Sequence, residues 1–268
     1  MLRTLRRLLS LAVVLFALWI VLLAVGGELG GRALAPRLRE QLATALGAQV
    51  RLGGIDLALV RGRFVLAELE IERRDLGSMR LAVGQAVLET APLGLALLER
   101  DRADLLVLRD VKVELSSWAV LAPPPGRERQ FDLQRFELRD LTVVLAPTLL
   151  LPKAGAVTLV VERATGGATS LRSAASWLLA LESLDAKASF PGGSSVKVSY
   201  RGKAGGGGKL ILASSLLGGE LSIPITLPSA GSIRQAADET AALGKLVAQV
   251  AREIAKRKAG QVLERLVQ

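Results

Sequence analysis

The 268-residue sequence contains neither cysteine nor histidine. Without cysteine there is no disulfide, no thiol nucleophile and no lipidated N-terminal cysteine, which fits an exported protein without requiring export. Without histidine the commonest general base and metal ligand are missing, so any catalysis would fall to carboxylates, serine, lysine or arginine. Aromatics are scarce as well, at 3%, leaving little to stack on bases or sugars. Nucleic acid is disfavoured as a partner despite a net charge of +10 and a pI near 10.6. The arginines are scattered among acids along the whole chain rather than gathered in one tract. Half the residues are apolar, chiefly Leu, Val and Ala, which suit strands and contact with acyl chains. The charge reads as general surface basicity, with an anionic membrane as its neighbour.

Arg3, Arg6 and Arg7 precede an uncharged apolar run at residues 8–25. Its roughly 18 residues would rise about 27 Å as a helix, just enough for a bilayer core. The positive flank predicts a cytoplasmic N-terminus, with the bulk of the chain across the membrane. A cleaved leader is the competing reading. Its apolar region would usually run about 7 to 15 residues, and Ala24-Val25-Gly26 is only a passable cleavage site, so an uncleaved anchor is expected.

The stretch at 32–71 organises the rest of the chain. Leu34, Leu38, Leu42, Ala45 and Leu46 fall at helical spacing, with Arg37, Arg39, Glu40 and Gln41 on the other faces, Pro36 in the first turn and Gly47 as C-cap. The period then drops to two. Ile55, Leu57 and Leu59 share one strand face, and a turn at Gly62 leads into a second strand over 64–71.

A short unit recurs, in which a leucine is followed two places on by an acid and then by alternating apolar positions. It appears as Leu66, Glu68, Leu69, Ile71; as Leu108, Asp110, Val111, Val113, Leu115; and as Leu138, Asp140, Leu141, Val143, Leu145. In each copy the apolar face changes phase across the acid, which a strand achieves only with a bulge or kink. Three repeats of one strand unit are expected; chance matching among leucine-rich strands is the alternative.

Further strands are predicted at 79–88, with Leu81, Val83 and Val87 on one face, and at 156–163, 184–190, 196–201, 210–217 and 221–227. Glycine-rich turns between the later ones imply antiparallel hairpins. A leucine-rich turn at 91–104 and a proline-rich loop at 122–129 lie between the copies. Pro224 suits an edge strand, so the sheet is expected to end there. Leu171, Ala174, Ala175, Leu178 and Leu181 predict a helix with Ser170 as N-cap, and residues 233–266 predict another, with Leu243, Leu246, Val247, Val250 and Ile254 on one face.

Chemical motifs are nearly absent. Gly208-Lys209 lacks the rest of a phosphate loop, since Leu210 and Lys203 occupy the positions that need a hydroxyl residue and a glycine, so a hairpin loop is the better reading. Glu68, Glu70 and Glu72 alternate and could hold a cation, but Arg73 and Arg74 follow at once, as on a solvated strand face. Trp177 fits an interfacial anchor or core filler equally. Arg252, Lys256, Arg257 and Lys258 suit lipid head groups or a solvated helix face.

The layout itself resembles a known family. An N-terminal anchor, a helix ending in LATALGAQVRLGGIDLAL, then RFVLAELEI, then APLGLALLERDRADLLVLRDVKVEL is similar to the N-terminal module of the AsmA-like proteins, bacterial relatives of bridge-like lipid-transfer proteins. The likeness covers residues 8–145. It implies a curved sheet with an apolar face that holds acyl chains, anchored in the inner membrane and facing the periplasm. About ten strands at 4.8 Å spacing reach only some 50 Å, too short for a conduit between two membranes.

The expectation is therefore an α+β protein: an anchor at 1–27, a strongly twisted, curved antiparallel sheet at 28–230 with a short amphipathic helix at its start, and a C-terminal amphipathic helix at 231–268. It would bind membrane lipid, catalyse nothing and need no cofactor or metal. The candidate lipid contacts are Val83, Val111, Val113, Leu115, Leu141, Val143 and Leu145, and the candidate membrane-surface residues are Arg252, Lys256, Arg257 and Lys258. The alternative is a non-catalytic component of an envelope or secretion assembly, similar to the secretion-system N component, with an envelope protein as partner.

Overall fold

The computed structural model describes residues 35–40, 42–44, 48–58, 61–74, 78–91, 102–116, 132–146, 155–170, 174–203, 206–227 and 236–267. The predicted anchor, the leucine-rich turn between 92 and 101, and the proline-rich loop lie outside them. Among the described residues no helix is long and apolar enough to cross a membrane. Residues 35–40 and 42–44 are helical, and Leu38 and Leu42 are half-buried while Arg37, Arg39 and Glu40 are exposed, as the periodicity predicts; Gly47 lies outside the described residues.

One curved, open, mostly antiparallel sheet dominates the fold. Its strands are β1 (Gln49–Ala58), β2 (Arg63–Arg73), β3 (Met79–Glu89), β4 (Arg102–Leu115), β5 (Asp132–Leu145), β6 (Val157–Gly166), β7 (Thr169–Ser170), β8 (Leu181–Ser189), β9 (Ser195–Gly202), β10 (Gly207–Ser214) and β11 (Gly219–Thr226). They pair in chain order, except that β7 adds to β5 and leaves β6 beside β8. Two helices come after the early strands, α1 (Ala174–Leu179) and α2 (Ala236–Val267).

The recurring unit has a backbone cause. Glu68, Asp110 and Asp140, the acids of the three copies, are the described non-glycine residues with positive φ, at 53°, 52° and 54°. Asp tolerates this left-handed region better than most L-residues. Each acid makes its strand change face. Leu138 and Leu141 both pack against one core cluster, and Val161 and Ala164, also three apart, both belong to it; three residues apart on a plain strand they would lie on opposite faces.

The switch runs straight across six strands. On one side of it lies the row Leu52, Leu69, Val83, Val111, Leu141, Val161; on the other lies Ile55, Leu66, Ala86, Leu108, Leu138, Ala164, each residue paired with the next. At the switch itself stand Gly53, Glu68, Gly84, Asp110, Asp140 and Glu162. Two strands thus use glycine where their neighbours use an acid, because the acid side chain lies over them. A Cβ on Gly53 would come 2.8 Å from that of Glu68, and one on Gly84 would come 2.8 Å from that of Asp110. At β6 the extra residue ends the pattern, since the pairing with β8 shifts register between Val161 and Arg163. β8 takes one more bulge, at Glu182, and from Leu184 onward alternation is plain.

This geometry corrects three expectations. First, the sheet is not wholly antiparallel, because β4 and β5 run parallel. In β2, β4 and β5 the apolar residue directly follows the switch; in β1, β3 and β6 it directly precedes it. Antiparallel neighbours must be of opposite kind, and two strands of one kind match only side by side in the same direction. Second, Val87 does not share a face with Leu81 and Val83, because Gly84 intervenes; Val87 pairs with Val65 and Val107, and that row leads to Glu137. Third, Ser170 is no N-cap but pairs with Asp132 as part of β7, and Leu181 opens β8 rather than closing the helix. Pro224 does lie on the edge strand β11, as expected, and Gly208-Lys209 lies in a hairpin strand.

The densest core sits toward the β8–β11 end. Phe136 is wholly buried, its ring 4.9 Å from that of Trp177 at 54°, so Trp177 fills core. From α2, Ala242, Leu246, Val250 and Ile254 pack on the same cluster. Val247, expected on that face, is 65% exposed. Leu243 lies on the helix, but its side chain is outside the described set.

Candidate functional site

The seven residues proposed from the sequence as lipid contacts converge on one face in three adjacent rows. Val83, Val111 and Leu141 pair across β3, β4 and β5; Val113 pairs with Val143, and Leu115 with Leu145. Leu81 and Leu159 extend the second row, and Met79 and Val157 the third. The sequence places Leu81 on the face of Val83 and Ile55 on a strand face, but it does not join them, Met79, Leu52, Val157 or Leu159 to this set; in β1 and β3 glycine marks the switch where an acid marks it elsewhere. The paired glycines at 53–54 were the available signal.

Burial is graded over this face. Val83, Val111 and Leu115 are buried, while Val113, Leu141, Val143 and Leu145 are half-buried. Of this row set, Leu141, Leu159 and Val161 touch the main core. A shallow depression of about 490 Å³ crosses the switch line between β1 and β4, but Arg51 and Glu70 of the charged face line it together with Gly53, Glu68, Gly84 and Asp110, so it is not a groove of the aliphatic rows. A second concavity of about 330 Å³, wholly aliphatic, lies along α2 at Leu246, Val247, Val250, Ala251 and Ile254.

The opposite face carries charge in matched pairs. Glu137 accepts from Arg139 Nε at 3.0 Å and from Arg163 at 2.9 Å. The Arg139 hydrogen bond, with the charges of both arginines, holds its carboxyl below the usual range against the opposing effect of burial. Asp185 is held low in the same way by Arg201, 2.7 Å away, with Ser199 donating a further bond at 3.0 Å. Lys112 lowers Glu114. Glu70 meets Arg51 and Arg80, and Glu72 meets Arg74. Glu70 and Glu72 are thus ion-paired strand residues and Glu68 a backbone switch. Among the described residues no three carboxylates are placed to hold a metal ion.

On α2, Arg252, Lys256 and Arg257 are exposed, and Lys256 bonds Glu253 at 2.7 Å. The side chain of Lys258 is outside the described set. These residues come after the core-packed Val250 and flank Ile254, so the helix presents a basic surface beyond its buried stripe. No protein-family model matches the chain, and no curated protein shows significant similarity to it.

Proposed function

We propose that this protein is an AsmA-like, non-catalytic lipid-binding module, held in the inner membrane by residues 8–25 with its sheet in the periplasm, serving lipid transport or envelope assembly. The observation that carries the reading is the continuous apolar face built by the concerted switch. Six successive strands change phase at one line, and the effect is to keep the apolar rows on either side of that line on one face. Such a surface, aliphatic and poor in aromatics and donors, complements acyl chains and offers nothing to orient a polar substrate. The acids with lowered pKa are all engaged with arginine or lysine on the opposite face, which suits structural roles. The basic surface of α2 would meet anionic head groups.

The test is site-specific photocrosslinking in membranes with the full chain. A photoreactive residue at Val113 should give phospholipid adducts, while one at its neighbour Lys112, on the polar face, should not. Adducts to protein alone at Val113, or lipid adducts equal at both sites, would overturn the reading in favour of a structural or interaction component.

A further inference from the structure

The two edges of the sheet are finished differently. At β11 Pro224 supplies no N–H, and its carbonyl is taken by Gln249 of α2 at 2.9 Å. That edge is closed to further strands. At β1 the ten residues Gln49–Ala58 contain no proline, and no described residue pairs with their outer side.

The switch line says what kind of strand would fit there. Gly84 lies between two acid strands, β2 with Glu68 and β4 with Asp110, and it is Asp110 that closes on it, as Glu68 closes on Gly53. Gly53, its counterpart in β1, has Glu68 on one side and no described strand on the other. On β1 the apolar Leu52 directly precedes the switch, so an antiparallel neighbour must place an apolar residue directly after its own. We propose that the outer edge of β1 docks an antiparallel strand from another protein, one carrying the apolar–x–(Asp or Glu)–apolar–x–apolar unit, its acid lying beside Gly53. Main-chain hydrogen bonds would hold it, and the apolar face would continue onto the partner. A second copy of this chain does not fit by β1 against β1. Both strands then have the apolar residue before the switch, and aligning the two Gly53 residues sets Leu52 opposite Gly54, one apolar face against one polar face. This inference does not depend on lipid occupying the sheet.

The probe is the sequence of β4, RADLLVLRDVKVEL, which pairs antiparallel with the other glycine strand, β3. As a labelled peptide it should bind the detergent-solubilised full chain saturably. Methylating alternate backbone nitrogens on one edge of the peptide should weaken binding at least tenfold, and methylating the other set should not. Because the chain has no cysteine, an Asp56→Cys variant can locate the peptide. A peptide cysteine in place of Val107, which the register sets opposite Asp56, should form the disulfide at least tenfold faster than one in place of Arg102. Absent saturable binding, equal loss or equal retention with both methylated sets, or cross-linking without positional preference overturns the proposal. So does a dimer of the chain that the peptide dissociates, since a second copy would then own the edge.

Discussion

From β1 to β6 every strand changes face at a common line, whereas from Leu184 through β11 the strands keep plain alternation and meet two helices. The plain half forms an ordinary core: α1 and α2 contact each other, β7 and β11, and buried Ile223, Ile225, Leu212 and Tyr200 lie in one cluster with Phe136. The switched half carries its apolar face away from that core, which it joins at β5 and β6, where Trp177 of α1 meets Phe136 and Val161 and Ala164 belong to the same cluster. Plain alternation suffices where a helix covers the sheet. At the switch Glu68, Asp110 and Asp140 hold a strained left-handed backbone, which keeps apolar side chains on one face across the line.

The sharpest way to break the comparison is to remove the residue of β5 on which the two halves meet. Phe136 has no exposed surface, and its ring approaches so close to Gly166 that a Cβ there could not be accommodated. Phe136→Ala should cost about 3–5 kcal/mol, read as a fall in the urea midpoint at unchanged slope. A loss below about 1 kcal/mol would mean this cluster is not the stabilising core.

Val113 tests the switched half. Buried in a closed core, an unpaired aspartate would cost several kcal/mol and unfold the domain. On a face that lipid occupies, the carboxylate can reach water once lipid leaves. Val113→Asp is therefore expected to fold, with stability lowered by no more than about 1–2 kcal/mol, and to lose its lipid. A variant that fails to fold, or that folds and still carries lipid, removes the distinction between the halves.

The switch itself predicts a smaller effect. With φ at 52°, Asp110→Gly should stay within about 1 kcal/mol of the parent, because glycine relieves the backbone while adding unfolded-state entropy. Asp110→Val should cost about 2 kcal/mol. The same change at exposed Lys187, in the plain part of β8, should cost nothing measurable. Equal effects at 110 and 187 would show that the left-handed acid matters no more than any surface residue.

Much of this was legible in the amino acids, and the rest for identifiable reasons was not. Leucine, acid and apolar residue at spacings of two and one demanded a phase change, and Glu68, Asp110 and Asp140 supply it. The same change in β1 and β3 left only glycines, which read as turns or flexible points. The parallel pair was implied as well, since two successive acid units of one kind match only in parallel, yet hairpins are the default for neighbouring strands. Seven candidate contacts fell on one face because alternation after the switch is regular. The helix after Ser170 was misplaced because a two-residue strand has too little sequence to carry a period.

The smallest expected effect concerns pH and again separates the halves. Glu137 bridges Arg139 and Arg163 in the switched half with a side chain 13% exposed, while Asp185 pairs with Arg201 in the plain half at 38%. Both carboxyls are held below their ordinary values in the folded chain. A native pKa below the unfolded one means the unfolded chain binds protons first as acid is added. The stabilisation is therefore complete above the unfolded value, about 4, and is lost as pH falls from there through the lowered native value. Glu137→Gln cannot take up that proton, so its urea midpoint should fall less between pH 7 and pH 3 than the parent's does. Asp185→Asn should show the same sign but less of it, because solvent screens the more exposed pair. If Glu137→Gln loses as much stability in acid as the parent, the Arg139–Glu137–Arg163 bridge plays no part in holding β5 to β6.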